Sequence, residues 1–265
     1  MQSPLNTAEF RLALGLFAIL ALACLGPNMV QYAHYHEFAD QRDWLGLPCA
    51  LDVLSNIPFA LLGAWGLLML HRDKIAARGT AKHALATLFF GGLVLTATCS
   101  TWYHLQPNDV RLVADRLGIV VAFTGLLGMA VSDRISNRAG LVVACLSVLA
   151  GPVAVYLWVL GGNLLPWSAF QLGGMVLVLI LAFCKPVEAA WNLPLLAVVG
   201  WYTLAKFLEL GDGIVYWASG ELVSGHTLKH LAAAMAALPI LSLMHNGAHK
   251  TSDRCVSQAN GLGLQ

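Results

Sequence analysis

Eight stretches, each about twenty residues long and nearly free of charge, succeed one another along this chain, and that is the length a helix needs to cross a bilayer core. They cover residues 12–30, 48–70, 84–103, 112–131, 139–160, 164–184, 191–214 and 222–244. Apolar residues lie on every side of each stretch and glycines recur within them, as in helices that pack in lipid. Asp, Glu, Lys and Arg make up only 11% of the 265 residues, against roughly a quarter in a soluble domain. So few charges cannot build a water-facing surface, and a mean hydropathy of +0.70 agrees. A soluble enzyme and a secreted disulfide module are excluded, and a net charge of +1 offers no footing for nucleic acid. The expected fold is an all-α polytopic membrane helix bundle.

The six cysteines, Cys24, Cys49, Cys99, Cys145, Cys184 and Cys255, are scattered without C-x-x-C spacing. They read as small buried hydrophobes for the most part, not as a disulfide framework or a zinc ribbon. Only Glu9 and Arg11 precede the first run closely, and Ala21-Leu22-Ala23-Cys24 is a poor lipobox, so this run reads as an uncleaved helix. The polar tail, 246–265, reads as disordered. With the N-terminus cytoplasmic, the inner segments hold Arg11, Arg72, Lys74, Arg78, Lys82, Arg134, Arg138, Lys185, Lys250 and Arg254. The outer segments hold only Arg42 and Arg111. Ten against two sets both termini inside, by the bias that governs short loops. Trp44, Trp102, Trp158, Trp167 and Trp217 then fall near the outer boundary, where an interfacial aromatic belt belongs.

Ionisable side chains within spans are costly and mark functional sites by default. Asp52, Ser55 and Asn56 lie in the second run, Ser100 and His104 end the third, and Asp115 opens the fourth. Lys206, Glu209 and Asp212 lie late in the seventh run, and His226, Lys229 and His230 open the eighth. In the alternating topology all of them reach one depth, at the outer end of the bundle. His226 and His230, spaced i, i+4, share a helical face and can reach one metal. His104 supplies a third nitrogen, and three imidazoles suit Zn²⁺ with a fourth position open for water. A carboxylate such as Asp115 can take a proton from that water, and the Ser100 hydroxyl can meet a developing oxyanion. Plainer readings stand beside these: back-bonding of Ser100 within its helix, and an ion pair of Asp115 with Arg111 or Arg116. Lys206, Glu209 and Asp212, at i, i+3, i+6, read as a structural ion-pair cluster. His34, His36, His71, His83, His245 and His249 read as solvated or interfacial.

The combination Ser100-x-x-x-His104, Asp115 eleven residues later, and His226-x-x-x-His230 resembles the alkaline ceramidase family. That family stands within the seven-helix membrane hydrolases that also include adiponectin/progestin receptors and haemolysin III. Ser55-Asn56-Ile57-Pro58-Phe59, Trp102-Tyr103-His104-Leu105-Gln106-Pro107, residues 111–117 and residues 224–231 are similar to its bacterial branch. The resemblance implies a seven-helix catalytic core over 43–245, preceded by an N-terminal segment, 1–42, that carries one extra helix. It implies zinc on His104, His226 and His230, with Asp115 and Ser100 catalytic, in a bacterial inner membrane protein whose active site faces outward. The implied reaction is hydrolysis of a ceramide-like N-acyl lipid, drawn from the bilayer, to a fatty acid and a sphingoid base. A receptor-like or scaffolding member with a mainly structural zinc is the alternative. A transporter fits less well, because the charged groups gather at one end and not at the midplane. Asp43-Trp44 is followed by Leu45-Gly46-Leu47-Pro48, which lacks the oxygen ligands of the family's calcium loop.

The topology has a direct test in a cysteine-free background. A cysteine at Asn108 should react with an impermeant thiol reagent on spheroplasts, and one at Ala76 only after lysis. The reverse pattern would invert the orientation and leave the metal chemistry untouched.

Overall fold

The protein is described here by a computed structural model covering residues 5–72, 81–187 and 191–245. Lys74, Arg78, His249, Lys250, Arg254, Cys255 and the expected disordered tail lie outside the described residues. The helices are α1 (Thr7–Leu25), α2 (Ala50–Leu54), α3 (Ile57–Arg72), α4 (Ala81–His104), α5 (Asp109–Arg134) and α6 (Asn137–Gly161). They continue with α7 (Leu165–Ser168), α8 (Gly174–Ala182), α9 (Leu195–Leu210), α10 (Asp212–Ala218) and α11 (Gly225–Met235). Among the described residues there is no strand, only two isolated bridges, Val30 with Asn163 and Trp44 with Leu47. Among the described residues, seven helical segments are long and apolar enough to cross a membrane. The chain is an all-α polytopic bundle.

Four of the apolar runs are not plain helices; the eighth turns at Ala236 and Ala237, ahead of Pro239, before helix resumes. In the second, Pro58 lacks the N–H that would continue the helix, and the chain breaks at Ser55 and Asn56 between α2 and α3. The Ser55 hydroxyl and the Asn56 amide donate to the freed carbonyl of Asp52, at 2.8 and 2.9 Å. In the sixth, a π-helical turn, Ala169–Gly173, joins α7 to α8. The seventh run ends early: α9 has 16 residues, about 24 Å of rise, before Gly211 turns the chain into α10. That run is therefore one short helix and a second at a new angle, not a continuous span.

Tight contact between α4 and α5 is set by small residues. A Cβ on Gly92 would stand 2.2 Å from the Ala122 backbone nitrogen, and one on Gly125 would stand 2.3 Å from that of Phe89. Gly118, whose Cβ would meet the Thr96 Cα at 3.0 Å, continues the same seam toward the end that carries His104. Close backbone approach between apolar helices needs such residues, because lipid gives no hydrophobic drive for helix pairing.

The two ends of the bundle are fastened differently. At one, Asp133 accepts from the backbone N–H groups of Asn192 and Leu193, both at 3.0 Å, and from Arg134. Arg134 also donates to the carbonyls of Leu181 and Leu193, tying α5 to the segment before α9. At that same end the buried Glu9 of α1 accepts from Ser136 and Arg138 at the start of α6. Beyond this anchor α1 leaves Leu14, Phe17, Leu20 and Leu22 exposed, as a lipid-facing helix does. Cys24, Cys145 and Cys184 are also exposed, and among the described residues only Cys49 is buried, against the expectation that most would be core residues.

Gly125→Leu should destabilise the detergent-solubilised protein by about 1–3 kcal/mol or more, because the atoms it meets are backbone. Gly91, with open space at its Cβ position, should tolerate Ala and gain up to about 1 kcal/mol of helix propensity. Thermal unfolding of both variants checks this, and equal losses would refute the packing account.

Candidate metal centre

His104 is the last residue of α4, and Ser224 caps α11 so that His226 and His230 fall one turn apart on its inward face. All three imidazoles are buried, at 1%, 6% and 5% exposure, and their ring centroids stand 4.9 Å apart in each pairing. His104 Nε2 and His226 Nε2 are 3.4 Å apart, and one nitrogen from each ring lies within 4.8 Å of the others. Ligands about 2.05 Å from a shared tetrahedral ion stand about 3.3 Å apart, so the spacing suits a metal. No other group of three or more His, Cys or acidic side chains with that geometry occurs among the described residues.

The surrounding residues aim the rings. His230 Nδ1 lies 2.7 Å from Ser55 Oγ, whose own proton goes to the Asp52 carbonyl. Ser55 therefore accepts from His230 Nδ1–H, and the Nε2 lone pair is left for a metal; this is how a second partner fixes a ligating tautomer. The break between α2 and α3 is what places Ser55 there. Asp212, at the turn after α9, accepts from the His226 backbone N–H at 2.7 Å and from that of Ala39 at 2.9 Å. Gly225 allows this approach: a Cβ there would be 2.2 Å from the Leu208 carbonyl oxygen. The Asp52 carboxylate accepts from Thr227 at 2.6 Å and holds α2 to the first turn of α11.

The segment between α1 and α2 folds back over the histidines. Phe38 is buried with its ring 4.1 Å from that of His226 and 4.9 Å from that of His104. His36 bridges the Tyr103 hydroxyl at 2.9 Å and Asp109 at 3.0 Å, so it is a half-buried structural link, whereas His34 is exposed beside Glu37. Asp40 fastens the far side: Arg42 binds its carboxylate, holding it below the usual carboxylate range, and also donates to the Leu222 carbonyl.

Ser100 lies one turn before His104, buried, and its side chain interacts with the Asp115 carboxyl across the α4–α5 seam. Thr96 and Thr98 back-bond to carbonyls four residues earlier, but no such bond from Ser100 is formed. Among the described residues Asp115 forms no ion pair with Arg111 or Arg116. Arg111 lies over Trp102 and donates to its carbonyl, while Arg116 turns the other way, to Gln31 and to aromatic rings. Ser100, Asp115 and His230 all line an internal cavity of about 190 Å³. Lys206, Glu209 and Lys229 share its polar end, and Phe59, Phe89, Leu93, Leu126 and Met175 line its apolar remainder. The structure thus brings all five sequence-derived site residues to one place.

Two other expectations change. Glu209 pairs with Lys206 at 2.6 Å and with Lys229 at 2.7 Å, but Asp212 is not in that cluster, since the turn at Gly211 swings it onto α11. Trp44, Trp102 and Trp217 are exposed as a belt would be, whereas Trp158 and Trp167 are buried around Arg116. Their indoles stack on a buried guanidinium, a contact that no local pattern announces. Phe38, Tyr35 and Gln171 also border the site, and nothing in their neighbouring sequence marks them. No protein-family model and no curated protein matches this chain.

The geometry predicts metal content directly. His226→Ala or His230→Ala should lower occupancy, and full occupancy in the double variant would refute the three-histidine site. Ser55→Ala should weaken metal affinity about 10–100-fold, the usual scale for an outer-shell partner of a ligating histidine. Elemental analysis and chelator competition measure both.

Proposed function

We propose that this protein is a zinc-dependent membrane amidase that hydrolyses the N-acyl bond of ceramide-like lipids to a fatty acid and an amine. The observation that carries the reading is a cluster of three buried imidazoles, one of which, His230, lines the same cavity as Ser100 and Asp115. The three neutral nitrogen donors favour zinc among the available metals. When bound, the ion would supply Lewis acidity toward the amide carbonyl and a lowered pKa for water.

The chain's own residues divide the remaining work. Asp115 takes a proton from the attacking water and returns it to the nitrogen as the C–N bond breaks, so the hydroxyl ends on the acyl carbon and the proton on the amine. Ser100 donates a hydrogen bond to the carbonyl oxygen as its charge grows. The cavity's apolar part takes the acyl chain, and its polar end takes the amine-bearing half. Phe38 and the folded-back segment close the site from the loop side, so lipid enters sideways, past the flank where α7 and its π turn face α9. The Lys and Arg bias supports an extracytoplasmic site in a bacterial inner membrane, with both termini cytoplasmic.

Asp115→Asn should keep the metal yet lose turnover by about 10²-fold or more, since an amide cannot accept the water's proton. The measurement is fatty-acid release from N-acyl lipids by purified protein, with and without a zinc chelator. Wild-type turnover in the variant would remove Asp115 from the chemistry. Tight metal with no turnover on any N-acyl lipid would favour a receptor-like protein with a structural ion.

A further inference from the structure

Arg116 follows Asp115 on α5 and lines the same cavity, yet it is only 2% exposed. Its guanidinium lies 4.0 Å from the Trp158 ring centroid, 5.5 Å from that of Trp167 and 5.8 Å from that of Tyr35. Nη2 donates to the neutral Gln31 side chain at 2.7 Å, and the neutral Tyr35 side chain also interacts with the guanidinium. Nε and Nη1 have no hydrogen-bond partner, and among the described residues no carboxylate pairs with this arginine. The other cations of the cavity are different: Lys206 and Lys229 both bind Glu209.

A buried guanidinium without a counter-ion is expensive, and aromatic faces offset only part of that cost. Its permanent charge cannot be shed by deprotonation. The cavity wall carries Arg116, Lys206 and Lys229 against Asp115 and Glu209, an excess of one positive charge before any metal is added. With both acids counted, the pocket is still short of one negative charge, and no carboxylate is in contact with Arg116.

We propose that Arg116 is the recognition site for an anionic group, a sulfonate, phosphate or carboxylate, on the amine-bearing half of the lipid substrate. The inference rests on the amidase reading and narrows it: the preferred substrate is an acidic N-acyl lipid and not a neutral ceramide. Leu126 lies ten residues, about 15 Å, along α5 from Arg116, and Phe89 lies eleven residues before Ser100 on α4, so the acyl chain and the anion occupy opposite ends. Tyr35 and Gln31 come from the folded-back segment, and they bring that segment to the bound head.

The test uses two amides that differ in a single group, N-lauroyltaurine and N-lauroylethanolamine, with the full-length zinc-loaded protein. The sulfonate should be hydrolysed with a kcat/KM about 10–100-fold higher, the weight of a hydrogen bond to a charged group. Arg116→Gln should erase that preference, mainly through KM for the taurine amide, whatever its effect on overall turnover, and Arg116→Lys should keep part of it. Equal kcat/KM for the two amides, or equal losses on both in Arg116→Gln, would overturn the proposal while hydrolysis itself stands. If neither amide is cleaved, thermal stabilisation decides. A shift given by the taurine amide alone, and lost in Arg116→Gln, upholds the anion site and removes the amidase reading; no shift from either overturns both. Should Arg116→Gln fail to fold, discrimination by the wild type and its partial retention in Arg116→Lys decide the matter in the same way.

Discussion

How closely α4 approaches α5 decides whether this site exists. Gly118 lies against the Thr96 Cα, so those two residues are level in the bundle. Asp115 is three residues toward the histidine end from Gly118, and Ser100 is four residues that way from Thr96. At about 1.5 Å of rise per residue, the two side chains stand about 4.5 and 6 Å beyond the level point. They meet at one depth as a consequence of the seam, and His104 follows one turn later. A larger residue at Gly92, Gly118 or Gly125 would part the helices and separate the carboxylate from the hydroxyl before it touched any site residue.

Much of this was legible in the chain. The span pattern, the i, i+4 histidines and the gathering of polar residues at alternate helix ends are local periodicities, and local periodicity survives into the fold. Contacts that depend on a segment doubling back were not legible. Phe38 sits among residues that read as an outer loop, yet it packs on His226 and His104. Asp212 has the spacing of an ion-pair partner for Lys206 and Glu209, and only the turn at Gly211 sends it to the backbone of His226. Trp158 and Trp167 have the address of interfacial anchors and serve instead as walls around Arg116. In each case a partner far away in sequence outweighed a sound local rule.

The segment between α1 and α2 shows how a loop can be made part of a core. It is held at intervals: Gln31 to Arg116 and Asp109, His36 to Tyr103 and Asp109, Ala39 to Asp212, and Arg42 to Leu222. The ties to Arg116, Tyr103 and Asp212 are part-buried and those to Asp109 and Leu222 are exposed, and together they hold Phe38 against the histidines. Excluding water there strengthens every electrostatic interaction beneath.

The contrast between the two ends of the bundle is itself informative. At the end of Asp133 and Arg134, a buried acid and base spend their hydrogen bonds on one another and on backbone groups of the facing segment. Elsewhere among the described residues, one oxygen of Asp52, the side-chain oxygen of Asn56, Nδ1 of His104, two nitrogens of Arg116 and the hydroxyls of Thr124 and Tyr202 lack hydrogen-bond partners, and of these residues Arg116 and Tyr202 line the cavity. Unsatisfied groups cost free energy and persist where something outside the chain completes them. The imidazole cluster asks for a cation, the guanidinium for an anion, and the apolar wall farther along the cavity asks for a chain. One amphiphile held across a metal meets all three demands, and a purely structural metal would meet only the first.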